Sequence, residues 1–142
     1  MRVLFDVNVL IALLDAGHVH HNRTHRWWAK NRASGWATCP LTQNGFVRVL
    51  AQPSYPNRVP AAVATEFLAQ AVGAPEHEFW PDDLSLTDPN RFARDRILGP
   101  KQITDLYLLA LAVIRRGRLV TFDHAIPLSA VVGANSSNLV LV

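Results

Sequence analysis

The chain has 142 residues, 49% of them hydrophobic and 18% charged, a balance that builds a packed globule and excludes a disordered or low-complexity scaffold. Its net charge of +3 leans mildly toward polyanionic partners without establishing one. The single cysteine, Cys39, excludes an internal disulfide, suits a reducing cytoplasm and reads as a small buried apolar residue.

Taken in order, residues 2 to 6 form a first strand, and Val7 to Leu14 a short helix that is apolar nearly all round. The apolar stretch from Val3 to Leu14 is interrupted by Asp6 and Asn8, is too short to span a bilayer and lacks a cleavage pattern, so no membrane segment or signal peptide is expected. His20 to Ala33 reads as a helix with Trp27 and Trp28 on its inner side, Gly35 to Cys39 as a strand, and Leu41 to Ala51 as a helix started by Pro40-Leu41-Thr42. Prolines 53, 56 and 60, with Ser54 and Asn57, mark a loop, and Pro60 then suits the first turn of a helix from Ala61 to Ala71, ended by Gly73. His77 to Trp80 is a strand, while Pro81 to Pro100 is irregular with one short helix near Asn90 to Arg94. Thr104 to Arg116 is a helix closed by Gly117, with Arg115 and Arg116 in its last turn complementing the dipole. Arg118 to Phe122 and Asn138 to Val142 are the last strands. Strands separated by helices imply one domain over residues 1–142, a three-layer α/β/α sandwich around a central, mainly parallel twisted sheet.

Three acids carry the chemistry. Asp6 closes the run Val3-Leu4-Phe5, Asp123 closes Leu119-Val120-Thr121-Phe122, and Asp105 lies in the first turn of the last helix. Acids at strand ends sit at the carboxyl edge of a sheet, where open α/β folds place ligands. Each also has an ordinary role open to it: helix cap for Asp6, dipole partner for Asp105, turn former for Asp123. Their conjunction is harder to set aside. Two carboxylates at 4 Å repel by about 4 kcal/mol at an effective dielectric near 20, so such a cluster needs a cation or must take up protons. Hard oxygen donors suit Mg²⁺, with Mn²⁺ as substitute, and not zinc. Basic residues fall in three stretches, and Arg91, Arg94, Arg96 and Lys101 are the preferred phosphate contacts because their loop leads directly into Asp105.

The segments Phe5 to Leu10, Pro40 to Leu50, Ile103 to Ala112 and Thr121 to Ala125 resemble, in order and over nearly the whole chain, the PIN domain, and more narrowly VapC-type toxins of bacterial toxin–antitoxin systems. The resemblance implies a Mg²⁺-dependent endoribonuclease in the cytoplasm that hydrolyses phosphodiester bonds of cellular RNA with a metal-activated water, leaving 5′-phosphate and 3′-hydroxyl ends. It also implies silencing by a cognate VapB-type antitoxin, and a homodimer that forms a heterotetramer or larger assembly with it. The family's acids carry over onto Asp6, Asp105 and Asp123. One position departs: the glutamate usual after the second strand is Gln43 here, able to offer an amide oxygen but no charge. Supporting roles fall to Gln43, to Asn8, which could hydrogen-bond a carboxylate or phosphate, and to Thr104, expected to cap the helix and orient Asp105.

Other readings stand beside this one. His18, His20, His21 and His25 lie close together but lack the further ligands of a zinc site. His124 follows Asp123 and reads as a turn residue, while Trp27, Trp28, Trp36 and Trp80 could stack on bases but more often fill a core. Gln43 keeps open a catalytically weak RNA- or protein-binding module on the same fold. A haloacid-dehalogenase-like phosphatase would want an acid at Asn8 and a downstream lysine, and the only lysines are Lys30 and Lys101.

Overall fold

Short β-branched and aromatic runs become the strands in a computed structural model that describes residues 1–142. They are β1 (Val3–Phe5), β2 (Trp36–Thr38), β3 (His77–Phe79), β4 (Arg118–Thr121) and β5 (Leu139–Leu141), all parallel, in the order β3-β2-β1-β4-β5. Helices α1 (Val7–Leu14), α2 (His21–Asn31), α3 (Pro40–Leu50), α4 (Ala61–Val72) and α5 (Ile103–Ile114) cover the two faces. None is long and apolar enough to cross a membrane.

Side-chain alternation divides the core. Leu4, Ala37, Cys39 and Leu119 face α5, whereas Val3, Phe5, Trp36 and Val120 face α1 to α4 through Leu10, Trp28, Phe46 and Leu68. Helix α5 is buried without a break from Leu106 to Ala112. It lies between the sheet and a second cover that includes Phe92, Ile126 and Val131, which is why it carries no polar face. Trp28, Trp36 and Trp80 are core residues, and Trp27 packs edge-on against Phe5 at 6.4 Å, so the indoles are packing groups and not an exposed stacking platform.

Two glycines are required by close approach. A Cβ at Gly45 of α3 would lie 2.5 Å from Val7 Cγ2 in the first turn of α1. One at Gly117 would lie 2.6 Å from the Arg2 carbonyl oxygen and 2.9 Å from Trp80. Gly117 is therefore kept for space. The left-handed residue that turns the chain out of α5 is Arg116, with φ of 55°, and α5 ends at Ile114, so the arginine pair lies beyond its last turn.

Other expectations are corrected by long-range pairing. In place of a short helix near Asn90 to Arg94, Phe92 bridges antiparallel to Val131, with Ala93 N–H donating to Ala130 C=O at 3.0 Å and Val132 N–H to Arg91 C=O at 2.9 Å. A 3₁₀ turn follows at Arg94–Arg96. Thr104 is not the cap of α5: the helix begins one residue before it, Gln102 holds the cap position, and Thr104 is exposed. Asn138 is buried ahead of β5, its Nδ2 donating to Gly117 C=O at 2.9 Å.

Candidate metal centre

Pairing of Phe5 with Val120 brings the next residues, Asp6 and Thr121, together beyond the carboxyl ends of β1 and β4. Asp6 is 9% exposed. It caps α1, Oδ1 accepting from Val7 N–H at 2.7 Å, while Oδ2 accepts from Thr121 Oγ1 at 2.9 Å. The same Thr121 oxygen accepts from Asp123 N–H at 3.1 Å, and Asp123 Oδ1 accepts from Ala125 N–H at 2.8 Å. One buried hydroxyl therefore orients one acid's side chain and the other's backbone.

Asp105 stands half-buried in the first turn of α5, on the sheet face that Asp6 and Thr121 share. Burial, then the charge of Asp6, then a hydrogen bond and charge from Asp123 push its carboxyl up to about 7. Asp6 is also pushed up, by burial first and by Asp123 last, against hydrogen bonds from Thr121 and Val7. The three acids thus share one field. No three Asp, Glu, His or Cys side chains are already gathered into a finished cation cage. The donor chemistry nonetheless fits a hard divalent cation, because every donor is a carboxylate oxygen and a cation would offset both the burial and the neighbouring charges that push the Asp105 carboxyl up.

The other residues singled out from sequence lie apart from this cluster or face solvent. Gln43 directs its Nε2 to Thr38 Oγ1 at 3.0 Å, and that hydroxyl meets His77 Nε2 at 2.8 Å. Thr38 shares its sheet face with Trp36, opposite the face of Asp6 and Thr121, so the Gln43 donor is engaged away from the acids. Asn8 is exposed and its side chain makes no hydrogen bond within the protein. Arg91, Arg94, Arg96 and Lys101 are exposed, with only a long contact of 3.8 Å from Arg96 to neighbouring Asp95, so their charges are free for a partner. His124 is exposed beside Asp123, and His21 Nδ1 is 2.8 Å from Ala12 C=O. Cys39 is fully buried, its thiol pushed up to about 11 by burial.

Sequence reasoning missed two contributors. Thr121 lies two residues before Asp123 at the end of an apolar strand, a hydroxyl position legible once the strand pairing is known. Phe122 carries the Arg23 guanidinium over its ring at 5.1 Å and the His20 ring at 5.1 Å, a basic and aromatic ledge next to Asp123.

A parallel α/β sandwich with Asp6, Asp105 and Asp123 in one another's field at the carboxyl edge of its central strands defines the class: an α/β domain with an acidic edge site. Residues 3–131 match the PIN domain family. Ribonuclease VapC44 of Mycobacterium tuberculosis is 51% identical over 98% of both chains. Ribonuclease VapC39 of the same organism is 42% identical over 94% of this chain and 96% of its own, and Ribonuclease VapC38 is 44% identical over 87% and 86%. The crystal structure of VapBC2 from Rickettsia felis bound to a DNA fragment from their promoter has the same fold, with a TM-score of 0.57 at 15% identity, covering 100% of this chain and 98% of the other. The chain belongs to the PIN domain family and, within it, to the VapC type. That membership removes the phosphatase alternative.

Proposed function

We propose that this protein is a Mg²⁺-dependent endoribonuclease, the toxin of a VapBC toxin–antitoxin pair, acting on cellular RNA in the cytoplasm. One observation carries the chemistry: β1 pairs with β4 so that Thr121 joins Asp6 to Asp123 at the sheet edge beside Asp105, whose carboxyl burial and these two acids push up to about 7. The VapC relatives that bear the name ribonuclease support RNA as the substrate, and the VapBC2 neighbour supports a VapB-type partner.

Val7 N–H and the Thr121 hydroxyl fix the Asp6 carboxylate, which keeps further lone pairs for a cation. Asp105 from α5 and Asp123 would join Asp6 in holding the cation, Asp123 directly or through a water. When bound, Mg²⁺ or its substitute Mn²⁺ supplies Lewis-acid stabilisation of the scissile phosphate and a nucleophile from water at neutral pH. Arg91, Arg94, Arg96 and Lys101, with Arg23 on its Phe122 ledge, hold the RNA backbone. The protein works as a homodimer and forms a heterotetramer or larger complex with its antitoxin.

A non-catalytic binding module is the second reading, favoured by one feature: Gln43 replaces an acid and is engaged with Thr38. Cleavage of a mixed RNA pool by the wild type and Asp6→Asn, each with Mg²⁺, Mn²⁺ or EDTA, separates the two. Cutting by wild type with either metal, reduced to background by EDTA and by Asp6→Asn, is expected. Cutting that survives both changes refutes the metal mechanism, and no cutting of any RNA by folded wild type favours the binding module.

A further inference from the structure

The head of α5 is tied to the Asp123 turn by the side chain of Gln102. Gln102 ends the 3₁₀ turn Pro100–Gln102, three residues before Asp105. Its Nε2 donates to Ala125 C=O at 3.0 Å. Ala125 N–H donates to Asp123 Oδ1 at 2.8 Å, Asp123 N–H to Thr121 Oγ1 at 3.1 Å, and Thr121 to Asp6 Oδ2 at 2.9 Å. A run of hydrogen bonds thus leads from the cap of α5 through the loop after β4 to both strand-end acids.

The other half of the same amide is unusual. Gln102 Oε1 is closed off from solvent and has no hydrogen-bond partner. A buried carbonyl without a donor lowers stability, and an apolar side chain of similar length would remove that penalty. The backbone does not require the contact either, because Ala125 is exposed and its carbonyl can take a water. The side chain therefore costs stability through its carbonyl oxygen and joins two parts of the acid cluster through its nitrogen.

We infer that Gln102 is a positioning residue for the acid cluster: its amide latches Ala125 to the head of α5, fixes the span between Asp105 and Asp123, and thereby tunes the site's affinity for a divalent cation. This rests on the metal-site reading above.

The test is Mn²⁺ binding to the full chain, followed by the electron paramagnetic resonance signal of free Mn²⁺, for wild type, Gln102→Met and Gln102→His. Methionine keeps the stem and removes both the donor and the unpartnered carbonyl, whereas histidine returns an Nε2–H near the original nitrogen. Gln102→Met is expected to weaken Mn²⁺ binding roughly tenfold, the lower end for partners behind metal ligands. Its metal-free melting temperature should equal or exceed that of wild type, and Gln102→His should recover most of the affinity. Equal Mn²⁺ affinity in wild type and Gln102→Met overturns the inference while leaving the metal site standing. A Gln102→Met chain that melts several degrees lower or fails to fold, with no recovery in Gln102→His, makes the residue structural and also overturns it. Absence of Mn²⁺ binding by wild type overturns the metal-site reading and this inference together.

Discussion

Replacing Asp105 by asparagine is expected to stabilise the metal-free protein at pH 8 and to leave it unchanged near pH 4. The carboxyl is pushed from its usual 3.8 to about 7 in the folded chain, first by burial and then by Asp6 and Asp123. Because the folded value lies above the unfolded one, the penalty is absent below about pH 4, grows as the pH rises and is complete above about 7. At about 1.36 kcal/mol per pH unit the shift corresponds to at most about 4 kcal/mol. Asp105 is only half-buried, and solvent screening reduces this to about 1–2 kcal/mol. Urea unfolding in EDTA, read by tryptophan fluorescence at pH 4 and pH 8, measures the difference directly. A matching rise of roughly 3–6 °C in melting temperature is expected at pH 8. If the acids hold a cation as proposed, Mg²⁺ should reverse the order, because a carboxylate would bind it more tightly than an amide and gain more stability from it. An Asp105→Asn chain that is less stable than wild type at pH 8, or that shows the same offset at both pH values, would refute the reasoning.

Two further substitutions probe how the site is held. Thr121→Val keeps the shape but strips Asp6 of a charge-assisted hydrogen bond and Asp123 N–H of its acceptor; a loss of about 2–4 kcal/mol in urea unfolding is expected, against about 1 kcal/mol for Thr121→Ser. A smaller effect of Thr121→Val than of Thr121→Ser would count against the bridge. Gly45→Ala forces a methyl to 2.5 Å from the stiff Val7 side chain and should cost about 1–3 kcal/mol. Val7→Ala in the same chain should recover most of that loss, and strict additivity of the two changes would disprove the contact.

The convergence of Asp6 and Asp123 was legible from sequence because both end apolar β-type runs, and two central parallel strands leave little freedom in where such ends meet. Asp105 was legible because a helix as apolar as Leu106 to Ala112 has to pack against the sheet. What stayed hidden depends on partners distant along the chain. Phe92 leaves its expected helix to bridge Val131, Gln43 is engaged by Thr38, and Arg116 takes the left-handed position while Gly117 is needed for space beside Arg2 and Trp80. Gln102 carried no local signal at all. Its meaning comes from Ala125, 23 residues downstream.

The sheet order has a consequence for how the chain is made. Strand β1 is translated first, yet it pairs with β4, and the bond from Thr121 to Asp6 joins residues 115 positions apart. At about 5–20 residues per second, Asp6 waits roughly 6–23 s for Thr121 to be added. Throughout that interval the nascent chain holds only part of its acid cluster, and the last acid follows the bridging threonine by two residues. The acid cluster therefore stays incomplete until the chain has been made as far as Asp123, long after the strand that carries Asp6.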